Sequence, residues 1–327
     1  MMRLGLLGLL FYMLLACSEP AVLKSTNQYQ FSDALVLDGQ LSGSGDQVML
    51  LIEGPNLVIW RVYDNQTVIS LNEAQLPKNV RVTHLNERAN LLLVAGDNVV
   101  QFWHSLTGAL IGSLQAKGVD ELARVSALST SDDGDEVAIG FTDGSVSLFK
   151  RKSKEMKQFM PHSSNIIAMH FVKGNRMVTG AHDGLVKAWD KQTGDNYYQR
   201  KYNTRLSSLT ISADHQQLFV ADALKTQEVL SVSNGETLSE LNYITRFKWF
   251  RHALFIPRST YLVTSTPKAE LSIWDTSSGK ERLSWQIEVH SMGTTLLDMV
   301  IINDQLITLS SEGVIETWPL MSALTDL

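Results

Sequence analysis

The side chains able to do chemistry are few and scattered. Cys17 is the single thiol of the 327-residue chain, so no intramolecular disulfide can form. Eight histidines are spread along the sequence without a His-Glu-x-x-His pair or a Cys–His cluster at zinc-ligand spacing. No Gly-x-Ser-x-Gly elbow and no glycine loop shaped to cradle phosphate occurs. Asp132, Asp133 and Asp135 could offer hard oxygen donors to Ca2+, but Ser131-Asp132-Asp133-Gly134 lacks the full calcium-loop pattern and reads as an inter-strand turn. The sequence therefore offers no catalytic residue, no metal ligand set and no cofactor motif.

Two segments could act as contact surfaces. Lys150-Arg151-Lys152-Ser153-Lys154 could meet an acidic surface, although a solvated loop is the commoner meaning of such a run. The candidate partner-binding residues are Arg246, Lys248, Trp249, Phe250 and Arg251, because Arg beside aromatics is the usual composition of an interface hot spot. Read as a strand, this segment buries Phe247 and Trp249 on one side and turns Phe250 to the other side with the cations. With a net charge of −6 and no long run of one sign, the chain has no general attraction for nucleic acid.

The amino terminus stands apart from the rest. Arg3 is followed by an apolar run from Leu4 to Leu15, too short to span a bilayer but suited to a signal-peptide core. It ends in Leu14-Leu15-Ala16-Cys17. That string resembles the bacterial lipobox, which implies acylation of the Cys17 thiol, cleavage in front of it and a lipid tether to a membrane. Ser18, rather than Asp, follows the cysteine, resembling the pattern sorted to the outer membrane with the protein facing the periplasm. Residues 1–16 are expected as the signal peptide, 17–28 as the lipidated cysteine and tether, and 29–327 as one folded unit.

The elements that must position everything else repeat. Trp60, Trp103, Phe149, Trp189, Leu230, Trp274 and Trp318 follow one another at spacings of 43, 46, 40, 41, 44 and 44 residues. Each ends a short stretch in which the positions one and three before it are mostly aliphatic and the position between is usually polar, the alternation of a strand. Asp143-Gly144 and Asp183-Gly184, with weaker versions at Asp97-Asn98 and Glu312-Gly313, lie just upstream as hairpin turns. A period of ~40–45 residues is that of a four-stranded propeller blade. The fold expected is all-β: seven antiparallel four-stranded blades, the last completed by a strand from residues 20–31, which removes the free sheet edges.

Segments such as Thr179-Gly180-Ala181-His182-Asp183-Gly184 followed by Leu185 to Asp190 resemble WD repeats. The resemblance covers residues 30–320 and implies a hydrogen-bond network of a His, a Ser or Thr, an Asp and the Trp. Repeat four matches with His162, Thr179, Asp183 and Trp189; repeat seven matches with His290, Thr308 and Trp318, but has Glu312 in the Asp place. Repeat five has Leu230 and no Asp-Gly turn. A rival is the eight-bladed quinoprotein-like propeller, for which Trp285 would be the docking tryptophan, but that tryptophan occurs in one repeat only.

The resemblance and the lipobox together imply a monomeric lipoprotein scaffold that binds a protein of the cell envelope. A cofactor-binding or enzymatic site in the central channel, and an accessory role in outer-membrane assembly, are the alternatives.

Overall fold

The computed structural model describes residues 23–54, 56–242, 249–320 and 324. It is a ring of seven four-stranded antiparallel sheets. Blades one to six take their strands in sequence order, from residues 36–71, 82–115, 125–159, 166–201, 206–240 and 252–286. Blade seven is built from residues 296–319, and its outer strand is Asn27–Gln30, paired antiparallel to Val314–Pro319 with Asn27 opposite Thr317. The closing strand starts two residues inside the segment assigned to the tether, because Asn27 and Gln28 already pair with this edge.

Strand burial follows position in the blade. Second strands are almost fully buried, as in Leu91–Ala95, since a blade of the ring has a neighbour on both faces. Outer strands such as Glu155–Phe159 are largely exposed and polar. Between blades the aliphatic residues meet in successive layers; Met49, Leu57 and Ile59 of blade one join Leu92, Val94 and Trp103 of blade two. The recurrent aromatic sits on the third strand, where Trp189 and Trp274 are fully buried.

The inner strands line the central channel. In blades one, three, four, five and seven the inner strand has a bulge near its start, as between Val36 and Asp38 or Leu296 and Asp298. One face of the ring, here the upper, carries the turns between second and third strands and the loops into each inner strand. These approach closely: Gly144 and Gly184 have positive φ, and a Cβ on either would lie within 3 Å of the backbone of the incoming loop. The lower face carries the remaining turns.

Blade five is regular despite lacking the Asp-Gly turn and the tryptophan. Leu230 is fully buried in the tryptophan's place. Asp222 Oδ1 accepts the N–H groups of Leu224, Lys225 and Thr226, at 2.9, 2.7 and 2.9 Å, so one carboxylate organises the turn.

Candidate functional site

Blade four holds the complete side-chain network. Trp189 Nε1 donates to Thr179 Oγ1 at 3.1 Å, and Thr179 Oγ1 lies 2.8 Å from His162 Nε2. His162 Nδ1 is 3.2 Å from both oxygens of Asp183. A carboxylate only accepts, so the imidazole carries its proton on Nδ1 and accepts the threonine hydroxyl at Nε2. Asp183 also accepts from Ser163 N at 3.0 Å and Leu185 N at 2.9 Å, tying the incoming loop to its own turn. Burial, the largest influence on Asp183, pushes its pKa up; the His162 and backbone hydrogen bonds outweigh it and hold the carboxyl down at about 2. The arrangement braces a loop in a site closed by Trp189, with His162 and Thr179 buried.

Blade seven keeps half of this. Trp318 Nε1 donates to Thr308 Oγ1 at 3.0 Å, but His290 is half-exposed and its imidazole does not reach Thr308; it lies 3.8 Å from Glu288. Glu312 explains the departure. Its longer side chain reaches into the loop and accepts from Ser291 Oγ at 2.5 Å, Thr294 Oγ1 at 2.7 Å and His290 N at 3.1 Å. The hydroxyls and the His290 backbone do what the imidazole does in blade four. Blade six has a pair that the sequence reading missed: Trp274 Nε1 donates to Thr264 Oγ1 at 2.9 Å. The signal was present, since Thr264 precedes Trp274 by ten residues, as Thr179 precedes Trp189 and Thr308 precedes Trp318.

Cys17 lies outside the described residues, as do Arg246, Phe247 and Lys248 of the proposed contact segment. Trp249 is 44% exposed, with the guanidinium of Arg205 5.5 Å from its ring centroid, and Arg251 is exposed. The expected placement of Phe250 is corrected. Its side chain is fully buried, edge-on to Phe219 at 6.0 Å and to Trp274 at 5.7 Å. The strand starts only at His252, so residues 249–251 are loop and strand alternation does not govern them.

Other singled-out residues take local roles. Ser131 Oγ donates to Asp133 Oδ1 at 2.6 Å and Asp135 N donates to the same oxygen at 3.1 Å, a turn closed on itself. No cluster of three or more His, Cys, Asp or Glu able to hold a metal ion occurs among the described residues. Trp285 is a core residue against Trp318, at 5.8 Å between ring centroids.

The channel brings together residues that no motif marked. Asp38 Oδ2 accepts from Thr83 Oγ1 at 2.6 Å, and Asp298 accepts from Leu41 N and Met299 N, both at 2.8 Å. Burial pushes the Asp298 carboxyl up to about 7, with the charge of Asp38 adding to it against those backbone donors. Burial also pushes His84 and His252 down to about 4. A cavity of about 630 Å3 opens at the lower mouth, lined by Gln40, Ser44, His84, Glu87, Thr130 and Asp298 among others.

The WD domain, G-beta repeat family matches residues 153–190, the stretch holding the complete network. A ribosome biogenesis protein (enp2 homolog) of Schizosaccharomyces pombe (strain 972 / ATCC 24843) is 28% identical over 171 residues, covering 48% of this chain and 26% of that protein. The chain thus spans about a quarter of that relative's length. The chain is thus a seven-bladed β-propeller closed by an amino-terminal strand, and its fourth blade matches a WD repeat.

Proposed function

We propose that the protein is a lipid-anchored interaction scaffold, acylated at Cys17 and holding a partner protein at a membrane of the cell envelope, with the propeller facing the periplasm. The observation that carries the binding reading is the exposed Trp249 with Arg205 stacked over it on a loop between rigid blades. An aromatic ring left in solvent beside a guanidinium is hot-spot composition, and a closed ring leaves its loops free to specialise. The lipobox-like Leu14 to Cys17 supports the anchor. Affinity capture of the tagged protein from solubilised membranes tests the scaffold. A stoichiometric partner is expected, and recovery of the propeller alone across envelope fractions removes the reading.

A second reading is favoured by the channel. Asp298, with its carboxyl raised to about 7, lines the lower-mouth cavity with His84 and Glu87, the sort of polar convergence at which a small ligand binds. Saturable binding of a small polar metabolite, abolished by Asp298→Asn, would support it over the scaffold.

A further inference from the structure

We infer that the upper face binds an acidic, amphipathic segment of the partner protein, held by Arg81, Arg124, Arg205 and Arg251 and by the apolar loop tips around them. The inference rests on the scaffold reading and adds which face binds and what chemistry it recognises.

The arginines share one place in the repeat. The inner strands of blades two, three, five and six begin at Val82, Val125, Leu206 and His252, and the residue directly before each is Arg81, Arg124, Arg205 and Arg251. In the other three blades the place is held by Leu35, Asn165 and Thr295, so no blade puts an acid there. The main chain at this place bonds within its own blade, as in Arg81 N to Ala95 O at 2.8 Å and Arg251 N to Ser265 O at 2.9 Å. The four cations therefore stand at one level around the upper channel mouth.

Their charge is only partly answered. Asp97 bonds Arg81 and lies 3.7 Å from Arg124 Nε, so one carboxylate serves two guanidiniums. Arg205 and Arg251 have no ion pair among the described residues; Arg205 lies over Trp249, and Arg251 donates to Thr295 Oγ1 at 3.4 Å. Three acids of the same face, Asp143, Asp183 and Asp222, are already committed to backbone N–H groups of their turns.

Exposed apolar side chains favour the same face. Leu35, Leu122, Leu224, Trp249 and Met292 project from upper loops, Leu122 at 78% exposure and Met292 fully exposed. On the lower loops the large exposed apolar residues, among those described, are Tyr63 and Leu106. The lower turns between first and second strands carry Asp46, Glu87, Asp132, Asp133, Asp135, Asp214 and Asp304 against Arg88, Lys173 and Arg258, while the Lys150 to Lys154 run lies farther out, in the turn to the third blade's outer strand. An acidic chain is thus drawn to one mouth and repelled from the other.

Cations with apolar tips would also suit an anionic lipid surface, but the anchor's geometry argues for protein. The closing strand pairs Asn27 with Thr317 and Gln30 with Val314, so the chain enters at the lower face and rises toward the upper one. A lipid on Cys17 would tether the chain from the lower side of the ring, opposite the arginine face.

The test uses the purified full-length protein and a fluorescent synthetic peptide of alternating Glu and Leu, beside its Lys–Leu counterpart and vesicles of phosphatidylcholine with phosphatidylglycerol. The Glu peptide should bind at least ~10-fold more tightly than the Lys peptide, with the difference shrinking as salt rises. Arg205→Glu with Arg251→Glu should weaken the Glu peptide by about 10-fold or more and favour the Lys peptide, whereas Arg88→Glu on the lower face should stay within ~2-fold. Should the double reversal fail to fold, Arg205→Gln with Arg251→Gln replaces it and the same loss is expected. Equal binding of both peptides, an equal effect of Arg88→Glu, or binding to the anionic vesicles alone overturns the inference. Partner capture unchanged by the double reversal also overturns it while leaving the scaffold standing; absence of any captured partner removes the scaffold itself, whatever the peptides do.

Discussion

Trp189 donates its indole N–H to the hydroxyl of Thr179, ten residues earlier and on the neighbouring strand. The same pairing joins Trp274 to Thr264 and Trp318 to Thr308. Only at Thr179 does the hydroxyl also meet an imidazole; at Thr308 its second partner is the Glu316 carbonyl at 3.4 Å. The difference between the three blades sets the first prediction.

Thr179→Val keeps the shape and removes the hydroxyl, leaving the Trp189 indole N–H and His162 Nε2 buried without partners. An unsatisfied buried polar group costs ~1–3 kcal/mol, and Thr179→Val should lie at the upper end. Thr264→Val strands one donor and should lie at the lower end. Trp189→Ala should cost ~3–5 kcal/mol, as loss of a buried aromatic does, and Leu230→Ala in the fifth blade ~2–4 kcal/mol. Chemical denaturation reads all four. Equal costs for Thr179→Val and Thr264→Val would mean that the imidazole contributes nothing.

Above pH 6.5 the buried carboxyls should act to lower stability. Burial raises Asp298 and Glu316 to about 7, while both are fully ionised in the unfolded chain by pH 6.5. At these two groups the native state then holds more protons than the unfolded one, so their contribution makes stability fall as pH rises from 6.5 through about 7 to 8. His84 and His252, lowered to about 4 in the fold but half protonated at pH 6.5 in the unfolded chain, act in the opposite sense up to about pH 7.5 and offset part of this decline. Asp298→Asn should flatten the decline between pH 6.5 and 8, measured as melting temperature against pH. An unchanged slope would show that Asp298 is ionised throughout.

What could be read in the sequence was what repeats. The large apolar residue at each ~43-residue step, aromatic in all blades but the fifth, and the Asp-Gly turns follow from local spacing, and blade four held all its partners within 28 residues, from His162 to Trp189. Asp38 and Asp298 are invisible at that range, because ring closure brings Leu41 N to a carboxylate 257 residues away. His290 was misread for a different reason. A motif position fixes where a side chain starts, but Glu312 and the hydroxyls of Ser291 and Thr294 decided what it bonds.

Cys17→Ala should abolish incorporation of radiolabelled palmitate, since no other thiol exists in the chain. The variant should appear in the soluble fraction or persist as an uncleaved precursor. Label still entering the protein would end the lipoprotein reading and leave the propeller unaffected.

Neighbouring aromatics should separate stability from binding. Phe250 is enclosed by Phe219 and Trp274 in the layer between blades five and six, with Leu262 and Val229 in the same cluster. Phe250→Ala should therefore cost ~3–5 kcal/mol, the range for emptying a buried aromatic site. Trp249, one residue earlier, keeps nearly half of its surface in solvent and is covered on one side by Arg205. Its replacement by Ala should stay within ~0.5 kcal/mol of wild type, as surface changes do, while reducing recovery of the partner from membranes. The loop geometry makes this contrast possible: with the strand starting at His252, consecutive residues can point one into the core and one outward without obeying a fixed alternation. A large loss of stability in Trp249→Ala would return that ring to the core, and full partner recovery would move the contact surface elsewhere on the ring.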